Sequence, residues 1–240
     1  MTPILEFCGV VKSYGIGNVE VRALTEVSLT IAPGEFVAVR GPSGCGKSTL
    51  LHLAGGLEDP TAGEVLLDGN DIALLDAAAR AELRRRDVGY VFQRLNLVPA
   101  LTAVENVMLP LELDGIRRRE ARRQALDTLA LVGLVEPLDR YPDDFSGGQQ
   151  QRIAIARAIV GSRRLILADE PTGSLDTCSG DSVIELLASL PSERGTAVVL
   201  VTHEPRFASF ADRVVSMRDG RVVDIAVAPD LDDMLSTARA

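Results

Sequence analysis

A phosphate-loop pattern lies between an apolar strand and a helix near the start of the chain. Residues 41–48 read GPSGCGKS, which matches G-x-x-x-x-G-K-[ST]. Apolar residues 36–39 lead into the loop and a leucine-rich helical sequence leaves it, so the strand–loop–helix context that the motif requires is present. This context predicts a buried strand in a sheet covered by helices, with an anion site at the start of the first helix.

The residue types of the loop suit phosphate binding. Glycines let consecutive backbone N–H groups turn inward, and the dipole of the following helix strengthens their attraction for an anion. Lys47 places a positive charge against the outer phosphates, and Ser48 offers its hydroxyl to Mg²⁺. The predicted phosphate-binding residues are Gly41, Pro42, Ser43, Gly44, Cys45, Gly46, Lys47, Ser48 and Thr49.

Short β-rich runs alternate with helical patterns along the rest of the chain, as in a sheet covered by helices. Four nearly continuous apolar runs predict strands buried on both faces, at residues 35–40, 89–92, 165–168 and 197–202. Three shorter runs bounded by turns predict an antiparallel sheet, at residues 4–10, 27–31 and 64–67.

Residues 101–161 read as almost wholly helical, and Thr102 with Glu105 has the form of a capping box. The predicted fold class is α/β: the mixed-sheet core of a P-loop NTPase (RecA-like), with an antiparallel β subdomain and an α-helical subdomain. We expect a single domain over 1–240. Segments 1–92 and 162–240 would form the core and the antiparallel sheet, and 93–161 the helical part.

Polar side chains end three of the predicted buried strands. Asp169 and Glu170 follow the third run directly, and a buried carboxylate needs a metal or a hydrogen-bond network. Asp169 is predicted to hold Mg²⁺ through water, opposite Ser48, and Glu170 to polarise the attacking water as general base. His203 ends the fourth run at the same edge of the sheet, and Gln93 ends the second, where it can touch metal or water.

A second helix start resembles an anion site. Ser146 and Gln149 form a capping box before an apolar-periodic run, and Gly147 and Gly148 leave the first turn bare. Tyr14, beside a glycine, could stack on a nucleotide base or pack in the core; the sequence alone leaves both interpretations open.

Taken in order, these motifs resemble the nucleotide-binding subunit of ABC (ATP-binding cassette) transporters over nearly the whole chain. The matching positions are residues 12–14, 41–49, Gln93, 146–149, 165–171, 174–176 and 202–203. Three positions carry residue types that are unusual for this family, and none of them removes a catalytic group: Arg40, Phe145 and Ser174. Residues 14–24, 92–99 and 105–110 look like the branch with the macrolide-export, lipoprotein-releasing and cell-division ATPases.

The resemblance implies ATP and Mg²⁺ as cofactors and a homodimer that sandwiches nucleotide. Ser146, Gly147, Gly148 and Gln149 would cap the ATP held by the partner's loop, and Asp176 would lie near the junction. An integral membrane permease subunit would be driven by ATP hydrolysis, for export or extraction of a lipophilic, peptide or lipoprotein substrate. An alternative is a non-transporting ATPase that regulates envelope enzymes through a membrane partner.

The overall charge of −9 argues against nucleic acid as a partner. Arginines at 84–86 and 117–123 suggest either solvated helix faces or a surface near anionic lipid headgroups. No apolar run reaches the roughly 20 residues of a membrane span, and no signal peptide is visible at the N-terminus. We therefore expect a peripheral protein at the cytoplasmic face of the inner membrane, with membrane contact through its partner.

Overall fold

The structure is a computed structural model that describes residues 2–15, 20–135, 137–173 and 175–227. A six-stranded sheet, in the order β10-β9-β3-β8-β7-β6, forms its centre. The strands β9, β3, β8, β7 and β6 run parallel, and β10 pairs antiparallel with β9. Their bounds are β3 Phe36–Arg40, β6 Val88–Val91, β7 Leu165–Asp169, β8 Ala197–Val201, β9 Arg213–Arg218 and β10 Arg221–Val227.

The central strands are buried on both faces, as their apolar runs predict. Every residue of β7 and β8 is buried, which only a sheet covered on two sides allows. Alternate residues of these strands enter different cores. Ile166 and Ala168 pack towards one side, whereas Leu165 and Leu167 pack towards the other.

The second sheet is antiparallel, in the order β2-β1-β4-β5, and its register aligns Leu5 with Ile31 and Phe7 with both Leu29 and Val65. This confirms the predicted antiparallel subdomain. The sheet shares a core with the first helix and with the central strands. The bounds are β1 Leu5–Tyr14, β2 Val21–Ile31, β4 Ala62–Leu67 and β5 Asn70–Asp71.

Three helices, α3 to α5, are inserted between β6 and β7 and pack on one another. The capping boxes predicted at Thr102 and Ser146 are both formed. Pro110 lies inside α3, which continues to Leu113. The helices are α1 Lys47–Ala54, α2 Ala77–Arg86, α3 Ala103–Leu113, α4 Arg118–Leu131, α5 Gly147–Ile159 and α6 Thr177–Arg194, with short 3-10 helices at Ile72–Leu74, Pro142–Asp144 and Pro205–Phe210.

Candidate active site

The phosphate loop joins the end of β3 to the start of α1, as the sequence predicts. Its glycines are required by the fold: a Cβ on Gly41 would lie 2.3 Å from the Met217 carbonyl oxygen, and one on Gly46 would lie 2.4 Å from that of Ala23. Gly46 also has the left-handed φ of 103° at the N-cap of α1. The neighbouring backbone therefore holds the loop tightly and leaves no room for a side chain at these two positions.

Lys47, the first residue of α1, is buried within the loop. Its Nζ donates hydrogen bonds to the carbonyl oxygens of Gly41 and Pro42, both at 2.9 Å. These bonds keep the ammonium group against the loop, where the motif predicts that the outer phosphates bind. Pro42, Ser43, Gly44 and Cys45 complete the turn, and Cys45 is buried beneath it.

Ser48 and Asp169 meet at the carboxyl end of β7 through a hydrogen bond between their side chains. Burial raises the pKa of the Asp169 carboxyl, and the neighbouring Glu170 carboxylate raises it further, while Ser48 opposes the shift. A nearby cation would favour the charged carboxylate.

A hydroxyl and a carboxylate are oxygen donors of the kind that Mg²⁺ binds together with substrate phosphates, so these residues fit that ion. Among the described residues, no cluster of three or more His, Cys, Asp or Glu side chains forms a separate metal cage.

Glu170 lies between the ends of two other strands. Its Oε2 accepts a hydrogen bond from Gln93 Nε2 at 3.3 Å, and its Oε1 lies 3.4 Å from His203 Nδ1. The Glu170 backbone has a φ of 47°, which is uncommon for a residue with a side chain. Its N–H donates to the Val201 carbonyl oxygen at 3.0 Å, so β8 holds this turn in place. The fold thus brings Gln93, Glu170 and His203 together.

The start of α5 is exposed to solvent. Ser146 Oγ accepts from the Gln149 N–H at 3.3 Å, and Gln149 Oε1 accepts from the Ser146 N–H at 2.9 Å. Nothing lies within 4 Å of a Cβ added to Gly147. In the described structure these capping bonds join Ser146 and Gln149 to each other and not to the phosphate loop. Helix geometry leaves the amides of Gly147 and Gly148 without acceptors inside α5.

Tyr14 is at the surface, with 38% of its area exposed, which argues against core packing. Its hydroxyl donates to Glu58 Oε2 at 2.6 Å and receives a hydrogen bond from Thr49 in α1. The ring therefore lies beside the phosphate loop. The sequence does not predict the contact with Glu58, because Glu58 belongs to no motif and its partner is 44 residues away.

Two more residues noted in the sequence lie at the ends of elements: Asp176 at the start of α6 and Arg40 at the end of β3. Asp176 is the N-cap of α6, where its carboxylate accepts from the Ser179 N–H at 3.0 Å. Hydrogen bonds from the Ser179 side chain and from this N–H lower the pKa of Asp176. Arg40, which departs from the usual residue type, donates from its Nε to Ser216 Oγ at 3.0 Å on the neighbouring strand. Ser174 and the tail beyond Val227 lie outside the described residues.

The two arginine clusters are largely neutralised by acids on the same surfaces. Arg85 and Arg86 both bond to Asp114, at 3.2 and 2.5 Å. Such local pairing supports solvated helix faces over an unpaired lipid-binding patch. In the second cluster, Arg118 pairs with Glu105 and Glu112, Arg122 with Asp139, and Arg123 with Glu120 and Asp127.

A groove of about 370 Å³ opens between α2, β6 and α3, close to Gln93. Its apolar lining includes Leu57, Tyr90, Phe92, Leu109 and Leu113, and the residues around it include Arg84, Arg85 and Arg157. In the part of the chain that the structure describes, no helix is both long and apolar enough to cross a membrane.

Known proteins resemble this chain over most of its length. The family model described as ABC transporter matches residues 24–173. The lipoprotein-releasing system ATP-binding protein LolD of Geobacter metallireducens is 47% identical over 93% of this chain and 99% of LolD. The macrolide export ATP-binding/permease protein MacB of Salmonella typhimurium is 44% identical over 93% of this chain, which spans only 34% of MacB.

Two solved structures of the ATP-binding cassette MJ0796 share the fold. The dimeric structure, described as a bacterial ABC transporter cassette, has a TM-score of 0.89 and 42% identity, and the match covers 95% of this chain and all of that one. The second is a dimeric post-hydrolysis state bound to ADP and Pi, with a TM-score of 0.88, 41% identity and the same coverage.

Proposed function

Because this chain belongs to the ABC transporter family and is an ATP-hydrolysing subunit, we propose that two copies join head to tail around two ATP molecules. In this arrangement the phosphate loop of one protomer and the start of α5 of the other enclose the same triphosphate. The dimeric structures of MJ0796 support an assembly of two cassettes.

The exposed start of α5 is the observation that carries the proposal. Its unused amides and helix dipole attract an anion, yet they serve no group of their own protomer in the described structure. A second protomer's γ-phosphate satisfies them. Binding of ATP then favours the dimer by mass action, and loss of the γ-phosphate removes the charge that each helix holds.

Within each site, the side chains have distinct roles. Lys47 and the loop amides bind the phosphates, and Tyr14 stacks on the adenine ring. Ser48, Asp169 and Gln93 would hold Mg²⁺, which would supply positive charge to the phosphates. Glu170 accepts the proton of the attacking water, and Gln93 and His203 hold the Glu170 carboxylate towards that water.

The membrane partner is a permease that docks in the apolar groove next to Gln93. This position lets closure of the ATP site move the partner, because Gln93 contacts Glu170 and its chain neighbour Phe92 lines the groove. The names of LolD and MacB favour release of lipoproteins or export of macrolides as the work of this chain and its partner. The partner would hold this chain at the cytoplasmic face of the inner membrane.

Replacing Ser146 by arginine tests the composite site. The arginine fills the space in which the partner's phosphate would sit, so we expect ATP hydrolysis to fall by about 100-fold or more. Binding of ATP to the monomer should stay close to wild type, since the phosphate loop is untouched. Steady-state phosphate release and calorimetric ATP binding measure the two effects.

Thr102→Arg is the matched control, because Thr102 caps α3 in the same way. Both substitutions remove a cap worth about 1 kcal/mol of stability. Only Ser146→Arg should lower ATP hydrolysis by about 100-fold or more. Loss of ATP binding by Ser146→Arg, or equal loss of activity in both variants, would contradict the head-to-tail proposal.

A further inference from the structure

A carboxylate outside the nucleotide motifs holds the exposed tyrosine of the site. Glu58, in the turn after α1, contacts side chains from β1 and α1, and we call Lys12, Tyr14, His52 and Glu58 the Glu58 cluster. Glu58 Oε2 accepts from Tyr14 Oη at 2.6 Å and lies 3.1 Å from Lys12 Nζ. Glu58 Oε1 lies 3.1 Å from His52 Nδ1.

The cluster favours a charged glutamate and a protonated phenol. Burial alone would raise the pKa of the Glu58 carboxyl, but hydrogen bonds from Tyr14, Lys12 and His52 outweigh it and lower that pKa. Burial raises the pKa of the Tyr14 phenol, and the bond to Glu58 raises it further. Tyr14 therefore donates a short, charge-assisted hydrogen bond, which is stronger than a neutral one.

These contacts fix both the position and the environment of the Tyr14 ring. Lys12 Nζ lies 4.9 Å from the ring centroid, so a cation stands over the ring. The same ammonium group is held by the Asp59 carbonyl oxygen at 2.9 Å and by Glu58. The exposed 38% of Tyr14 gives a flat ligand access to the residue. A ring held before binding loses less rotamer entropy when a base stacks on it.

We propose that Glu58 is a positioning residue for the nucleotide base. It keeps Tyr14 in the stacking orientation beside the phosphate loop, and Lys12 supports the same orientation. This inference rests on the proposed stacking of adenine on Tyr14. Glu58 acts through the tyrosine and does not touch the phosphates, so it controls affinity for the base and leaves affinity for the triphosphate unchanged.

The test compares binding of ATP with binding of inorganic tripolyphosphate, which has no base, by calorimetry in the presence of Mg²⁺. Tyr14→Ala should weaken ATP binding by about 5- to 150-fold, because the whole stacking interaction is lost. Glu58→Ala and Tyr14→Phe should each weaken it by about 3- to 10-fold, because each removes the hydrogen bond that orients the ring. Tripolyphosphate binding should not change in any of them.

The double variant Tyr14→Ala/Glu58→Ala should bind ATP no more weakly than Tyr14→Ala, since Glu58 has no ring left to position. Glu112→Ala is the matched control: the Glu112 side chain is 30% exposed, against 28% for Glu58, and it also pairs with a cation, Arg118. It should bind ATP like wild type.

The outcomes separate this inference from the role proposed for Tyr14. Normal ATP binding by Tyr14→Ala would overturn the stacking role itself. Weak binding by Tyr14→Ala together with normal binding by Glu58→Ala and Tyr14→Phe would overturn only the positioning role. Equal losses for ATP and tripolyphosphate in Glu58→Ala would show general damage to the site and would also overturn it.

Discussion

Replacing Glu170 by glutamine separates the chemistry of the site from its binding functions. Glutamine keeps the size of the side chain and can still accept a hydrogen bond from Gln93, which lies 3.3 Å from Glu170 Oε2. It removes the negative charge and the ability to take a proton from water. We expect normal ATP binding, very slow hydrolysis and accumulation of an ATP-bound dimer.

The size of the effect follows from the role of a general base, which contributes about 10²- to 10⁴-fold in rate, or about 2.7–5.5 kcal/mol of barrier. The Mg²⁺ requirement gives a second expectation. After burial, the charge of Glu170 is the largest contribution that raises the pKa of Asp169. Its removal lowers that pKa and favours the charged carboxylate, so the variant should need no more Mg²⁺ than wild type.

Three measurements test this reasoning: single-turnover phosphate release, titration of ATP binding with Mg²⁺, and size-exclusion chromatography with ATP. Asp169→Asn is the control, because loss of a metal-binding carboxylate should raise the Mg²⁺ concentration needed for half-maximal binding. Wild-type turnover by Glu170→Gln would refute the role as base. A rise in its Mg²⁺ requirement equal to that of Asp169→Asn would show that Glu170 binds the metal instead.

Two further predictions concern stability. Burial raises the folded-state pKa of Asp169, so the unfolded chain ionises first as pH rises above 3.8 and the metal-free fold loses stability. Without nucleotide and in chelator, Asp169→Asn should melt at a higher temperature than wild type at pH 7, with the difference shrinking towards pH 3.8. Gly89→Ala should lower the free energy of unfolding in urea by about 1–3 kcal/mol, because its Cβ would lie 2.0 Å from the Ala158 carbonyl oxygen. Gly147→Ala should not lower it, because nothing lies within 4 Å of the added Cβ.

The sequence predicts local structure most reliably where a single short pattern determines it. The runs that form β7 and β8 are apolar throughout, so burial on both faces follows directly from their composition. The capping boxes at Thr102 and Ser146 need only residues three positions apart. The phosphate loop likewise carries its own geometry in its glycines.

Features made by distant residues could not be predicted in the same way. Glu58 meets Tyr14 only because the antiparallel sheet places β1 beside the turn after α1. Arg40 bonds to Ser216 because β3 and β9 are neighbours in register, which their sequences do not reveal. The left-handed backbone of Glu170 could not be predicted either, since no local pattern indicates it and its N–H bonds to Val201, which is 31 residues away.

Two features at the end of β7 destabilise the fold in the absence of ligand. Both contribute to function when Mg²⁺ and ATP bind. Asp169 is a buried carboxylate whose raised pKa disfavours its charged form, and Glu170 has a backbone conformation that costs about 1–3 kcal/mol. A bound cation would stabilise the first, and the second aims the Glu170 carboxylate between Gln93 and His203. Since a ligand that binds only the folded state stabilises it, part of the nucleotide's binding free energy offsets these costs. The Glu58 cluster differs, because its charges already compensate one another, so it can keep the tyrosine in place before nucleotide arrives.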